Sequence, residues 1–228
     1  MPTQSERQHT NREFERELKQ LRERLLAMGG RAEQQIEIAM SSLVARDSQR
    51  AAQVVEGDAR IDQDELDIDE LAFAVLARRQ PVASDLRFVV LALKIVTDLE
   101  RIGDLAVNIA KRARDLAQFP ASPAEARLVE LGRRVRVALK DALDAFASSD
   151  VERAERVIVG DREIDALNMH LIADTIAAPD GGARDFARAL AISSISRYLE
   201  RIGDHATNVA EMVIYSLRGR DVRHGPKR

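Results

Sequence analysis

Apolar residues recur along this chain at gaps of three and four, from Phe14 through Leu18, Leu21, Leu25, Met28, Ala32, Ile36 and Ala39 to Leu43. That period predicts one long amphipathic helix over 11–45, weakened locally by the glycine pair of "MGGR" at 28–31. Asp47 stands where it can cap a second helix reaching about Arg79, and Pro81 breaks it from a third over 84–119. "FPASPAE", with Pro120 and Pro123, is the clearest linker. Beyond it the plan repeats, with helices expected over 124–148, 150–178 and 183–218 and an "APDGG" turn before the last.

The repetition extends to the letters. "LERIGDLAVNIA" at 99–110 returns as "LERIGDHATNVA" at 199–210, an offset of 100, and "GDARID" at 57–62 returns as "GDREID" at 160–165, an offset of 103. The difference of three falls between the second and third helix of each half, where a turn absorbs it. The expected fold is therefore all-α, with two tandem three-helix bundles related by internal duplication, over 1–119 and 120–228.

Asp and Glu at four-residue spacing share a helix face. Leu86, Val89, Leu93 and Val96 form a seam whose next members are Glu100, Gly103 and Val107, which puts Glu100 and Asp104 on the apolar side of the third helix. If the second and third helices run antiparallel about Pro81, Asp62 comes level with Glu100 and Asp58 with Asp104. About Gly182, Asp165 comes level with Glu200 and Asp161 with Asp204. Gly103 and Gly203, helix-interior glycines costing up to ~1 kcal/mol, let a neighbour approach closely.

Four carboxylates on one half-buried seam raise one another's pKa values, and three remedies exist: protonation, arginine pairing or cations. Arg101 and Arg201 lie about 100° around their helices and are expected to flank the cluster more than neutralise it. Oxygen-only donors suit hard or borderline ions and can bridge several of them. Each cluster reads as a multinuclear metal site, formed by Asp58, Asp62, Glu100 and Asp104 in one half and Asp161, Asp165, Glu200 and Asp204 in the other. Asn108 and Asn208, one turn further on, are additional ligands or supporting groups. Glu65 and Asp69 share the inner side of the second helix, but their counterparts are Asn168 and Ile172, so the duplicated set excludes them.

Bulk composition narrows the function. With 35 basic and 38 acidic residues the net charge is −3, against a general nucleic-acid binder. The absence of cysteine excludes disulfides and thiolate metal sites and fits a reducing cytosol. The polar N-terminus has no secretion-signal core, and no apolar run approaches the ~20 residues of a membrane span. Arg133, Arg134 and Arg136, and the tail with Arg218, Arg220, Arg223, Lys227 and Arg228, read first as solvated basic surface. Of the histidines, His9, His170, His205 and His224, none stands in a Glu-x-x-His pair of the di-iron kind.

The doubled "LERIGD…N" phrase with its "GD…ID" partners, and "RQPVASDLRFVVLALKIVTDLERIGD" at 79–104, resemble the PhoU family of bacterial phosphate-transport regulators across essentially the whole chain. The resemblance implies two three-helix bundles, a homodimer and acidic motifs that hold multinuclear metal clusters, iron first, with Mn, Zn or Mg as alternatives. It also implies a cytoplasmic, non-enzymatic negative regulator of phosphate uptake and of the phosphate-starvation regulon. Its partners would be the ATPase subunit of the phosphate ABC transporter and the phosphate-sensing membrane histidine kinase, with membrane association only through them. The rival readings are an enzyme built on carboxylate-bridged metals and a metal-free helical adaptor. Ser193 and Ser196, where the first copy has Leu93 and Val96, imply a more polar second site.

Overall fold

Each helix starts and stops where local chemistry dictates. Asp47 accepts hydrogen bonds from the backbone N–H groups of Gln49 (2.9 Å) and Arg50 (3.1 Å), satisfying two donors that the first turn of the second helix leaves open. Ser122 opens the fourth helix with a capping box, its own N–H donating to Glu125 at 3.1 Å, and Pro123 occupies the first turn. The computed structural model describes the backbone of residues 4–177 and 182–219 and the side chains of 12–176 and 182–219. Among these the elements are α1 (Gln4–Ala45), α2 (Ser48–Arg79), α3 (Ala83–Leu116), α4 (Pro123–Ser148), α5 (Val151–Ala177) and α6 (Ala183–Arg218). The expected all-α architecture is the observed one, with boundaries within a few residues for all but the start of α1. Apart from Gly182, the "APDGG" turn lies outside the described residues, as do the side chain of His9 and Arg220, Arg223, His224, Lys227 and Arg228 of the tail.

The linker between the halves is held in place. Arg46, in the left-handed region at φ 54°, donates to the carbonyls of Leu116 (2.9 Å) and Phe119 (2.6 Å) and forms a forked pair with Glu125 at 3.0 Å. One guanidinium thus ties the end of α3 to the start of α4, Nη1 serving the two carbonyls and Nη2 both carboxylate oxygens.

Helices α1, α2 and α3 pack together, as do α4, α5 and α6; α3 then packs on α6 and α1 on α4. Both cross-repeat pairs run antiparallel. Asp98 meets Asn208 on one, while on the other Gly29 faces Leu143 and Met40 faces Gly132, partners that exchange at the repeat offset. A two-fold relation follows, with its axis normal to the plane of α3 and α6. The result is two layers: α2, α3, α6 and α5 side by side, with α1 and α4 behind them. A continuous core of Leu21, Leu25, Met28, Ile36, Ile95, Leu99, Ile102, Leu128, Leu139, Ile195 and Leu199 fills the space between. Both acidic hairpins therefore face the same side of the molecule.

The "MGGR" glycines do not interrupt α1. Gly29 is a notch, since a Cβ there would stand 2.5 Å from Leu143 Cδ2, whereas a Cβ on Gly30 would meet nothing within 4 Å. Adjacent substitutions should therefore act in opposite directions. Gly30→Ala gains up to ~1 kcal/mol from helix propensity, while Gly29→Ala loses about 1–2 kcal/mol to overpacking. Urea denaturation of both variants checks the assignment, and in a double-mutant cycle Gly29→Ala should cost less in a Leu143→Ala background than in the native chain.

Candidate functional site

The glycine inside each acidic phrase has a specific neighbour. A Cβ on Gly103 would stand 3.0 Å from Ile61 Cδ1 and 3.6 Å from Asp58 Oδ1; on Gly203 it would stand 3.2 Å from Ile164 Cγ2 and 3.5 Å from Asp161 Oδ1. Ile61 and Ile164 are buried, so these contacts bring α2 onto α3 and α5 onto α6 at matching heights. The antiparallel register is the one expected from the sequence. Asp58 lies beside Gly103 and Asp104, and Asp161 beside Gly203.

The orientation of the carboxylates differs from that expectation. Asp62 and Asp204 are exposed, and Asp58, Glu100, Asp104, Asp161 and Asp165 are only partly buried. The innermost positions go to Leu99, Ile102, Ile61 and the glycine. A three-four seam spans more than a right angle of helix surface, and the aliphatic half of it took the core. The carboxylates form a row along the rim of each helix pair, open to solvent on one side.

Crowding on the rim still has a cost. Burial pushes the Asp58 carboxyl up, with Asp62 and Asp104 adding to it and Lys111 opposing. Burial and Asp104 raise Glu100, Arg101 opposes, and Glu65 and Asp62 add to the rise. Burial raises Glu200, helped by Asp204, Asp165 and Asp161 and opposed by Arg201. Arg101 does more than flank the row: it lies 3.5 Å from Glu100 and 3.6 Å from Asp104. It is solvent-exposed, so screening limits what it offsets, and the Glu100 carboxyl remains raised.

Glu65 belongs to this row. Burial raises its carboxyl, as do Asp69, Asp62 and Asp104, with Arg101 opposing, and burial also raises Asp69. The demand for a duplicated counterpart concealed both residues. Spacing held the signal, since Asp58, Asp62, Glu65 and Asp69 follow the three-four period. In the second half Asn168 turns inward and accepts a 2.5 Å hydrogen bond from the buried Ser196 hydroxyl. The second copy is thus more polar inside and carries fewer carboxylates on its rim.

Asn208 does not face the second row. Its amide donates to Asp98 Oδ1 of α3 at 3.1 Å, and His205 Nδ1 lies 2.7 Å from the same oxygen. This polar contact crosses the α3–α6 seam and gives the largely buried Asp98 carboxylate two partners. Asn108, partly buried, occupies the two-fold-related position on α3. The basic cluster on α4 is paired: Arg133 and Arg134 with Glu130, Arg134 also with Glu163, and Arg136 with Glu37.

The donor set is of a kind that hard cations bind: oxygen only, on two adjacent helices, and electrostatically uncomfortable without positive charge. Among the described residues no three His, Asp or Glu side chains converge closely enough to hold a metal ion as they stand. Ligation requires rotation of the exposed Asp and Glu side chains toward one another, which an exposed rim permits.

Fold and site together define a duplicated all-α protein that carries one acidic hairpin per repeat on a shared face. A family model described as the PhoU domain matches residues 25–113 and again 128–213. A phosphate-specific transport system accessory protein PhoU homolog of Pseudomonas putida is 44% identical over 217 residues, 95% of this chain and 85% of that protein. The accessory protein PhoU of Escherichia coli is 35% identical, over 95% of this chain and 90% of its own length. The crystal structure of PhoU from Pseudomonas aeruginosa superposes with a TM-score of 0.87 at 42% identity, covering 91% of this chain and all (100%) of that one. That of the phosphate transport system regulatory protein PhoU from Streptococcus pneumoniae gives 0.83 at 27% identity, over 92% and 99% of the two chains. The chain belongs to the PhoU family.

The raised carboxyls fix the sign of a pH effect. Their folded-state pKa values lie above the ordinary 3.8 and 4.5, so the folded chain holds these protons more tightly than the unfolded one. The destabilisation is complete above the raised values and is relieved as pH falls through them. In chelator-treated protein, Asp58→Asn with Glu100→Gln should raise Tm by about 2–4 °C at pH 7. That gain should shrink as the pH approaches the ordinary carboxylate range, which melts across this span check.

Proposed function

We propose that this chain is an accessory regulator of a phosphate transport system, lowering phosphate uptake and silencing the phosphate-starvation regulon when phosphate is plentiful. The observation that carries this reading is the acidic phrase written twice on one face of a chain that matches the PhoU domain in both halves. The names of its relatives, which describe accessory proteins of phosphate-specific transport, support it. The regulator works as an adaptor, not as a catalyst. Its partners are the ATPase subunit of the phosphate ABC transporter and the phosphate-sensing histidine kinase, and it acts as a cytoplasmic homodimer. No helix among the described residues is long and apolar enough to cross a membrane, which accords with reaching the membrane through partners.

In this reading each acidic row holds multivalent cations in a multinuclear cluster, iron first, with Mn, Zn or Mg as alternatives. Asp58, Asp62, Glu100 and Asp104 would hold one cluster, with Glu65 close by, and Asp161, Asp165, Glu200 and Asp204 the other. The bound charge would relieve the repulsion that raises these carboxyls and would cross-link the two helices of each hairpin.

Deleting the gene should derepress a phosphate-starvation reporter in high phosphate, and the intact gene should restore silencing; an unchanged reporter would refute the regulatory reading. Elemental analysis of protein purified without chelator or affinity tag tests the clusters. Glu100→Gln with Asp104→Asn should lower metal per chain by about half if the sites are independent. A metal-free native protein would leave the adaptor without its clusters, and turnover of phosphate esters would favour the enzyme reading.

A further inference from the structure

Where the two repeats meet, the first turns of α3 and the last turns of α6 enclose a depression of about 270 Å³. Arg87, Val90, Leu91 and Lys94 line it from α3, at the three-four spacing of one helical stripe, and Met212 and Tyr215 line it from α6. Lys94 lies six residues before Glu100 and about 120° away around α3, so this depression faces α6 and not the acidic row between α2 and α3.

Its cations are unanswered. Among the described residues neither Arg87 nor Lys94 has an ion-pair partner, and the Nε of Arg87 is buried without a hydrogen-bond partner. A buried donor on a permanently charged group is ordinarily satisfied, so an orphan of this kind points to an acceptor brought by a ligand. Glu211 also lines the depression, which leaves two cations against one carboxylate and a net charge of +1.

Duplication supplies an internal comparison. At the equivalent end of the seam, at the offset of 100, Ala187, Ala191 and Ser194 stand for Arg87, Leu91 and Lys94, while Arg112 and Asp115 stand for Met212 and Tyr215. There the cation is neutralised within the chain, Arg112 pairing with Asp115 at 2.8 Å. The unpaired cations therefore belong to one end of the seam and are not a by-product of the repeat.

Size and lining select the ligand. An apolar cavity of ~150 Å³ takes one benzene ring, so 270 Å³ holds a ring or a compact aliphatic group together with an oxyanion head. Met212 and Tyr215 offer the polarizable wall that suits a ring. The Nε and Nη edge of a guanidinium takes two oxygens of a carboxylate or phosphate in a fork, with the Lys94 ammonium as a second positive charge. We infer that this depression binds a small organic oxyanion, a carboxylate or phosphate monoester on an aromatic or compact apolar body, once per chain. Inorganic phosphate would leave the apolar wall uncovered, and a neutral ring would leave the Arg87 Nε unanswered. Because each repeat supplies one wall, the bound ligand would also hold the repeats together. Nothing in this site depends on the regulatory reading or on metal.

The probes are phenyl phosphate and benzoate, titrated by calorimetry into the full chain after chelator treatment, which removes any metal on the acidic rows that would itself bind phosphate. Phenyl phosphate should bind once per chain, about fivefold or more tighter than inorganic phosphate or benzyl alcohol, should raise Tm, and should be displaced by benzoate. Arg87→Met should weaken it about tenfold or more, and Lys94→Met, at an exposed position, about threefold. Arg112→Met, which removes the already paired cation at the other end, should leave the affinity unchanged. Circular dichroism verifies that each variant keeps the fold. Absence of binding, equal binding by inorganic phosphate, which would mark an adventitious ion only, or affinity unchanged in both Arg87→Met and Lys94→Met overturns the inference. So does Arg87-dependent association with phosphatidic acid vesicles when phenyl phosphate does not bind, an outcome that would assign these cations to a membrane surface.

Discussion

The contact on which the rest depends is an isoleucine side chain set against a helix-interior glycine, Ile61 on Gly103 and Ile164 on Gly203. It brings the two helices of each hairpin close enough that carboxylates from both share one rim. A Cβ at this point would press on a buried branched side chain, which would have to give by a few tenths of an ångström. The electrostatic discomfort of the row is therefore a consequence of close packing as much as of composition: aliphatic contact below draws the acids together above. Metal binding would draw on the negative charge that Arg101 and Arg201 offset only in part.

The second organising feature is the antiparallel pairing of α3 with α6 and of α1 with α4. The glycine notches at Gly29 and Gly132, which receive Leu143 and Met40, and the contact of Asp98 with His205 and Asn208 belong to this packing. They join the two bundles into a layered molecule with one acidic face. The halves are not identical. Glu65 gives way to Asn168, which turns inward to Ser196, so the second hairpin trades a rim carboxylate for an internal hydrogen bond. The two rows consequently differ in charge while sharing their geometry.

Much of the architecture was readable from periodicity and punctuation. The three-four spacing from Phe14 to Leu43, the Asp47 cap and the Pro81, Pro120 and Pro123 breaks each report local backbone chemistry, which acts the same way in any fold. The register of the acidic hairpins was readable too, because a short turn leaves antiparallel helices little freedom to slide. Orientation was not. Periodicity defines an apolar stripe but not which edge of it lies deepest, and so Asp62 and Asp204 proved exposed where an inward position was expected. The hydrogen bond of Asn208 to Asp98 was not readable either, because that partner lies in the other repeat, where no local rule points.

The sequence by itself determined six helices, their duplication, the pairing of helices within each hairpin and the identity of the acidic phrase, because each depends on neighbours a few residues or one turn apart. Only the tertiary structure decided how the repeats meet. It placed the carboxylates on an open rim, brought Glu65 into the row and set both rows on a common face. These outcomes depend on side chains far apart in the chain competing for the same space, and that competition is settled by packing.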